Sequence, residues 1–200
     1  IRQRQKYMGN INFDEAIKSF KDIGIKIEPD KIIFGVPDAR TLLAEGIKHF
    51  VQNPKWMNEY ENIAEWLSNN QGRGLMLYGM CGLGKTVICS RVIPLLLNTY
   101  CRLLPTIINA QQMNERVDQL LEKGILVIDD VGTEDIAVSY GNKRVAFAEL
   151  VDNAEKKGKI LIITTNLSAE ELKNKYGERV IDRLRAITKI INIKGKSLRK

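Results

Sequence analysis

The 200-residue chain reads as an α/β protein built on a parallel sheet with helices on both faces. Five apolar runs, at 75–78, 106–109, 125–129, 160–164 and 189–193, lack the polar alternation of a half-solvated strand, so each is expected to be covered on both faces. Helical stretches at 85–97, 111–122, 142–157 and 168–187 lie between them, as parallel crossovers require. A glycine-rich turn, Gly79-Met80-Cys81-Gly82-Leu83-Gly84-Lys85-Thr86, joins the first strand to the first of these helices.

In chain order, residues 1–70 read as a helical N-terminal extension and 71–200 as the main domain. Asn12 with Glu15 resembles a capping arrangement that opens a helix through Lys21. Pro29 and Pro37 bracket a short extended piece, Lys31-Ile32-Ile33-Phe34. A helix is expected from Asp38 to Gln52, ended by Asn53-Pro54. Trp56, Tyr60, Ile63 and Leu67 then recur at helical spacing, a stripe suited to core packing. Asn69-Asn70-Gln71-Gly72 forms the loop into the first strand. Pro94 should disturb the last turns of the 85–97 helix. Ser168 with Glu171 is a capping box that starts the last helical stretch, which breaks near Gly177.

Apolar content of 44% and charged content of 28% are ordinary for a globular protein. No apolar run approaches the roughly 20 residues that span a bilayer, so no membrane role is expected. No signal peptide is visible, and because the chain opens on Ile1, further residues are expected upstream. Cys81, Cys89 and Cys101 match neither a disulfide framework nor a zinc spacing, which points to a reducing, cytoplasmic setting. Cys81 falls inside the glycine-rich turn, and the other two read as packing residues. His49 lies in an apolar helical stretch and reads as structural. From Leu161 to Lys200, ten Lys/Arg face four Asp/Glu, so +6 of the net +7 lies there. Such a segment fits nucleic-acid phosphates, or equally a solvated helix face with a basic tail.

The chemistry is carried by residues at strand ends. Gly79 to Thr86 match G-x-x-x-x-G-K-T, whose glycines let backbone N–H groups wrap a polyphosphate while the following helix adds its positive end. Gly79, Met80, Cys81, Gly82, Leu83, Gly84, Lys85, Thr86 and Val87 are therefore the candidate nucleotide contacts. Lys85 would reach the β- and γ-phosphates, and the Thr86 hydroxyl would hold Mg²⁺. The run Ile125-Leu-Val-Ile-Asp129-Asp130 delivers Asp129 to the carboxyl end of its strand, where it can hold the same metal through water. The strand at 106–109, lying between these motifs, marks the branch of phosphate-loop ATPases in which the next acid polarises the attacking water. Here that acid is Asp130, where Glu is more common, and its shorter arm fits slow turnover. Asn166 ends the apolar run 160–164 in Thr164-Thr165-Asn166 and could sense the γ-phosphate. Arg179 and Arg183, four apart, share a helix face and could reach a phosphate held by a neighbouring subunit, or form local salt bridges with Glu178 and Asp182.

Together these segments resemble the AAA+ ATPases, and more narrowly the DnaC-type replicative helicase loaders and the IstB-type transposition ATPases. The likeness covers about residues 73–200. Its most specific parts are the phosphate loop with Arg73-Gly-Leu-Met-Leu-Tyr-Gly ahead of it, Leu-Val-Ile-Asp-Asp-Val-Gly at 126–132, Thr-Thr-Asn at 164–166 and Gly-Glu-Arg-Val-Ile-Asp-Arg-Leu-Arg at 177–185. The resemblance implies a three-layer P-loop NTPase with an AAA+ core, its parallel sheet in the order 5-1-4-3-2, and no C-terminal lid domain. It implies dependence on ATP and Mg²⁺, and a homo-oligomeric ring or spiral with nucleotide at subunit interfaces. Single-stranded DNA in the channel and a replicative hexameric helicase as partner are implied too. It makes Arg183, in Asp-Arg-Leu, the first candidate for the trans-acting finger and Arg179 the second. ATP over GTP also rests on it. Three functions stay open: an ATP-hydrolysing helicase loader, an IstB-type helper that binds DNA and recruits a transposase, and a non-hydrolysing ATP-sensing module, which Asp130 keeps alive.

Overall fold

The computed structural model describes residues 11–135, 137–139 and 142–195, with the backbone alone at 137–139 and 142–144. The chain forms two compact units, one ending at Asp30 and one beginning at Lys31. In the first, helix α1 (Phe13–Asp22) starts because the Asn12 side chain accepts from the N–H groups of Asp14 and Glu15, two donors that lack intrahelical partners. None of the residues of α1 is buried.

The second unit is organised by its strands: β1 (Gly74–Tyr78), β2 (Thr106–Asn109), β3 (Ile125–Val131), β4 (Ala137–Ser139), β5 (Asn142–Arg144), β6 (Ile160–Thr165) and β7 (Thr188–Asn192). Five form a parallel sheet in the order β2-β3-β6-β1-β7. Counted in chain order this is 2-3-4-1-5, the expected order read from the opposite edge. Strands β4 and β5 pair as a short antiparallel hairpin.

Helices α2 (Ala39–Phe50), α3 (Glu59–Ser68), α4 (Lys85–Val87), α5 (Ile93–Cys101), α6 (Met113–Leu120), α7 (Ala146–Lys157), α8 (Ala169–Tyr176) and α9 (Glu178–Ile187) make the outer layers. Alternate strand residues supply the two sides, as the two-residue strand period demands. Leu75, Leu77, Val127, Ile160 and Ile162 meet Leu43, Ile63, Trp66 and Leu97 from α2, α3 and α5. Met76, Ile108, Leu126, Ile128, Leu161 and Ile163 meet Met113, Phe147, Leu150, Leu172 and Leu184 from α6 to α9. Burying each such side chain contributes about 1.5–3 kcal/mol before entropy is counted.

The compact unit that holds the sheet begins at Lys31. Residues 31–70 cover one side of the sheet. Asn70, buried and 1% exposed, clips the extended 31–36 segment there: it accepts from Phe34 N–H (2.8 Å) and donates to Ile32 O (3.0 Å) and Arg73 O (3.3 Å). Trp56 lies ahead of α3 and packs edge-on to Tyr60, whereas Trp66 fills the core and donates its indole N–H to Arg73 O.

Two helices differ from expectation for local reasons. The stretch 142–157 begins with the β5 arm of the hairpin, and helix α7 starts only at Ala146. Pro94 leaves α5 intact, and the distortion sits ahead of it: residues Ile88–Val92 form a π turn, with Ile93 N–H bonding Ile88 O. A proline ring collides with the carbonyl four residues back, and the wider turn relieves that collision.

Candidate functional site

The glycine-rich turn of 79–84 leaves the carboxyl end of β1 and enters α4. Gly79 has φ +143° and an added Cβ would stand 2.2 Å from Ile193 O, so no side chain fits there. Gly84, at φ +78°, is the left-handed residue from which α4 starts. Lys85 folds back into the loop, only 5% exposed. Its ammonium spends all three donors, on Gly79 O (2.7 Å), Met80 O (2.9 Å) and Asn166 Oδ1 (2.8 Å). Burial pushes this ammonium below the usual lysine range, and Cys81, Asp130 and Asp129 pull it back up.

The tips of β6 and β3 converge on that lysine. Asn166, just past β6, accepts from Lys85 and donates to Asp130 Oδ1 at 3.3 Å. Asp130 sits in a bulge of β3 with φ +55°, a conformation that Asp tolerates better than most side chains. Its N–H donates to Thr164 Oγ1 (2.9 Å), and that hydroxyl donates to Asp129 Oδ1 (2.6 Å). Asp129 is 9% exposed. The Asp129 carboxylate and the Thr86 hydroxyl are hard oxygen donors, the type that suits Mg²⁺.

A cavity of about 250 Å³ opens beside the loop. The turn with Lys85, Thr86 and Val87, together with Asp130 and Asn166, forms its polar side. Ile47, Val51, Pro54 and Tyr60 form an apolar wall, with Lys55 at the same wall. The Tyr60 hydroxyl donates to Leu83 O at 3.4 Å. A polar cradle joined to an apolar slot can take a molecule with a charged tail and a flat apolar head. Sequence reasoning did not single out the slot: Tyr60 read as a packing position, Ile47 and Val51 as part of a helix, and Pro54 as its end. Cys81 is exposed on the loop, Cys89 is buried and Cys101 packs against the core. Among the described residues no three or more His, Cys, Asp or Glu side chains cluster as a metal site would require, and no described helix is long and apolar enough to cross a membrane.

The two arginines lie outside this group. Arg183 is held between Asp152 and Glu155 of α7, its side chain 18% exposed. Arg179 is 76% exposed and lies 3.6 Å from Asp152. Every Lys and Arg from Lys173 to Lys189 has an acidic partner within 4 Å. Lys196, Arg199 and Lys200 of the basic ending lie outside the described residues.

Solved structures share this architecture. DnaI overlays with a TM-score of 0.55 at 19% identity, covering 78% of this chain and 94% of its own. The DnaC helicase loader gives 0.51 at 19% identity, covering 80% and 93%. AMPPCP-bound DnaA from Aquifex aeolicus gives 0.51 at 18% identity, covering 75% of this chain and 47% of its own. At these identities the likeness speaks to the fold, which is the AAA+ core. No curated protein sequence matches the chain. The family of IstB-like ATP binding proteins matches residues 53–200, a span holding the phosphate loop and the acids and asparagine at the strand tips. With that span covering most of its length, the chain belongs to the IstB-like ATP-binding protein family.

Proposed function

We propose that this protein binds ATP in the cavity beside Lys85, hydrolyses it slowly, and uses the cycle to load a replicative hexameric helicase onto single-stranded DNA. The observation that carries the ATPase part is the convergence of Lys85, Asn166 and Asp130 at the phosphate loop. The triphosphate lies in the glycine-rich turn and takes over donors that Lys85 now gives to Gly79 and Met80. The purine occupies the slot of Ile47, Val51, Pro54 and Tyr60. Thr86 and Asp129 are the ligands that fit Mg²⁺, which when bound neutralises phosphate charge. Asp130 accepts the proton of the attacking water, and Asn166, released from Lys85, hydrogen-bonds the γ-phosphate or that water. An arginine from a neighbouring copy stabilises the developing charge. Arg179 is the better placed of the two, since Arg183 is already tied to two carboxylates.

The loader role is supported by likeness in fold to the DnaC helicase loader. A second reading, a helper that coats DNA and recruits a transposase, is favoured by the family match itself. Helicase loading requires stable association with the host's replicative helicase and ATP-dependent delivery onto single strands. Preference for duplex DNA with no helicase association would replace it by the second reading. For the site itself, Lys85→Ala should weaken ATP binding by at least about a hundredfold, because that ammonium faces phosphate charge directly. Calorimetric titration with ATP checks this, and unchanged affinity would remove the site from the proposal.

A further inference from the structure

Beyond the phosphate site, one heavily partnered buried group is a carboxylate with no place in the chemistry above. Glu134 is 6% exposed, five residues beyond Asp129. Its Oε2 accepts from Gly132 N–H at 2.8 Å, and its Oε1 accepts from the Tyr176 hydroxyl and lies 3.7 Å from the Lys175 ammonium. Lys175 donates in addition to Gly132 O (2.6 Å) and Glu134 O (2.8 Å). The turn so gripped is the one that carries Asp130: Thr133 donates its N–H (3.2 Å) and its hydroxyl (2.9 Å) to Asp130 O. It contains two left-handed residues, Asp130 and Gly132, so it needs outside support to hold one shape. Burial and the neighbouring Glu134 carboxylate push the Tyr176 phenol above its usual range, so it stays a donor.

Helix α8 supplies both Lys175 and Tyr176 at its carboxyl end, and its capping residue Ser168 follows Asn166 by two positions. One residue further on, Gly177 leads into α9 with Arg179 and Arg183. The helix thus touches the turn of Asp130 at one end and begins beside Asn166 at the other. A carboxylate costs several kcal/mol to bury, so three dedicated partners here require a reason.

We infer that Glu134, Lys175 and Tyr176 are positioning residues that clasp the Asp130 turn to α8, so that the aim of Asp130 and the placement of α8 and α9 change together. This rests on the reading of Asp130 as the acid that faces ATP. Through the clasp, a neighbouring molecule that moves α9 alters water activation, and nucleotide binding alters the surface that α9 presents.

The test is amide hydrogen exchange on the full chain, with and without the slowly hydrolysed analogue ATPγS, alongside steady-state ATP turnover. In the wild type the nucleotide should slow exchange in 79–87, in 129–135 and in 169–176. Tyr176→Phe keeps the ring against Phe147, 4.7 Å away, and removes only the hydroxyl. It should bind ATPγS within roughly twofold of wild type, lose the response in 169–176 and drop kcat about tenfold at an unchanged KM. Lys175→Met should behave alike. If both variants keep the wild-type response in 169–176, or lose nucleotide affinity and thermal stability together, the clasp is merely structural and the inference falls. If ATPγS leaves 79–87 unprotected in the wild type, the ATP site itself falls and takes the clasp with it. Binding without turnover leaves the exchange data to decide.

Discussion

Thr164 holds the two neighbouring acids in their different orientations. The β3–β6 register runs from Ile128↔Ile163 to Val131↔Thr165, so Asp129 and Asp130 together face the single residue Thr164. In such a bulge one backbone N–H loses its ladder partner, and the Thr164 hydroxyl takes it while donating onward to Asp129. Replacing Thr164 by Val keeps the shape and removes both bonds. The expected loss is about 1–3 kcal/mol in urea unfolding, with turnover falling further than ATP affinity. Equal losses in both would mean that Thr164 supports the fold alone. The left-handed backbone at Asp130 also accounts for an Asp where Glu is commoner, since the shorter side chain suits φ +55°. The identities of these residues were legible in the sequence, because a phosphate loop and strand-tip acids are local patterns. The bulge was not, because an extra residue in one strand leaves no trace in composition or period. Nor was the web around Glu134, whose partners lie 41 and 42 positions away.

At the level of elements, legibility followed burial. All five sheet strands read as unbroken apolar runs within a residue or two of their observed ends, but double coverage holds only for β1, β3 and β6: the edge strands β2 and β7 leave Ile107 and Ile190 exposed. The hairpin of β4 and β5 was missed, because three-residue arms carry no period. The distortion near Pro94 was expected after the proline and lies before it, since the clash acts backward along the helix. The break at Gly177, φ +88°, was expected and separates α8 from α9. The capping box at the start of α8 was legible in full: Ser168 Oγ accepts from Glu171 N–H (3.2 Å), and Glu171 Oε2 accepts from Ser168 N–H (2.7 Å). Those bonds hold the Glu171 carboxyl below its usual range. Its folded pKa being lowered, the stability it adds is present above the ordinary glutamate value and is lost as pH falls through the depressed one. Glu171→Ala, which removes the titrating half of the box, should therefore destabilise the fold at neutral pH and do so less in acid, read from thermal unfolding across pH. A cost that stayed constant into acid would show that the charge of Glu171 contributes nothing.

Across the whole molecule, the uneven charge takes a different meaning once its partners are known. The carboxyl third carries ten cations in sequence, yet Lys173, Lys175, Arg179, Arg183, Arg185 and Lys189 each have an acid within 4 Å. A cation already neutralised by a carboxylate releases few counterions when it meets a phosphate. Lys175 and Arg183, only 24% and 18% exposed, are the least able to change partners. Of the ten, that leaves Lys194 together with Lys196, Arg199 and Lys200, the last three outside the described residues. If these four make the phosphate contacts, the logarithm of single-strand affinity should fall against the logarithm of salt with a slope of about −3. Engagement of all ten would give about −7 by the same relation. Fluorescence anisotropy of a labelled oligonucleotide over a salt series separates the two. Neutralising Lys194 and Lys196 together should flatten the slope by about one unit while ATP affinity stays the same. A slope near −7 would mean that the ion pairs of α8 and α9 open on DNA, and that arginines now bound to α7 turn outward in the complex.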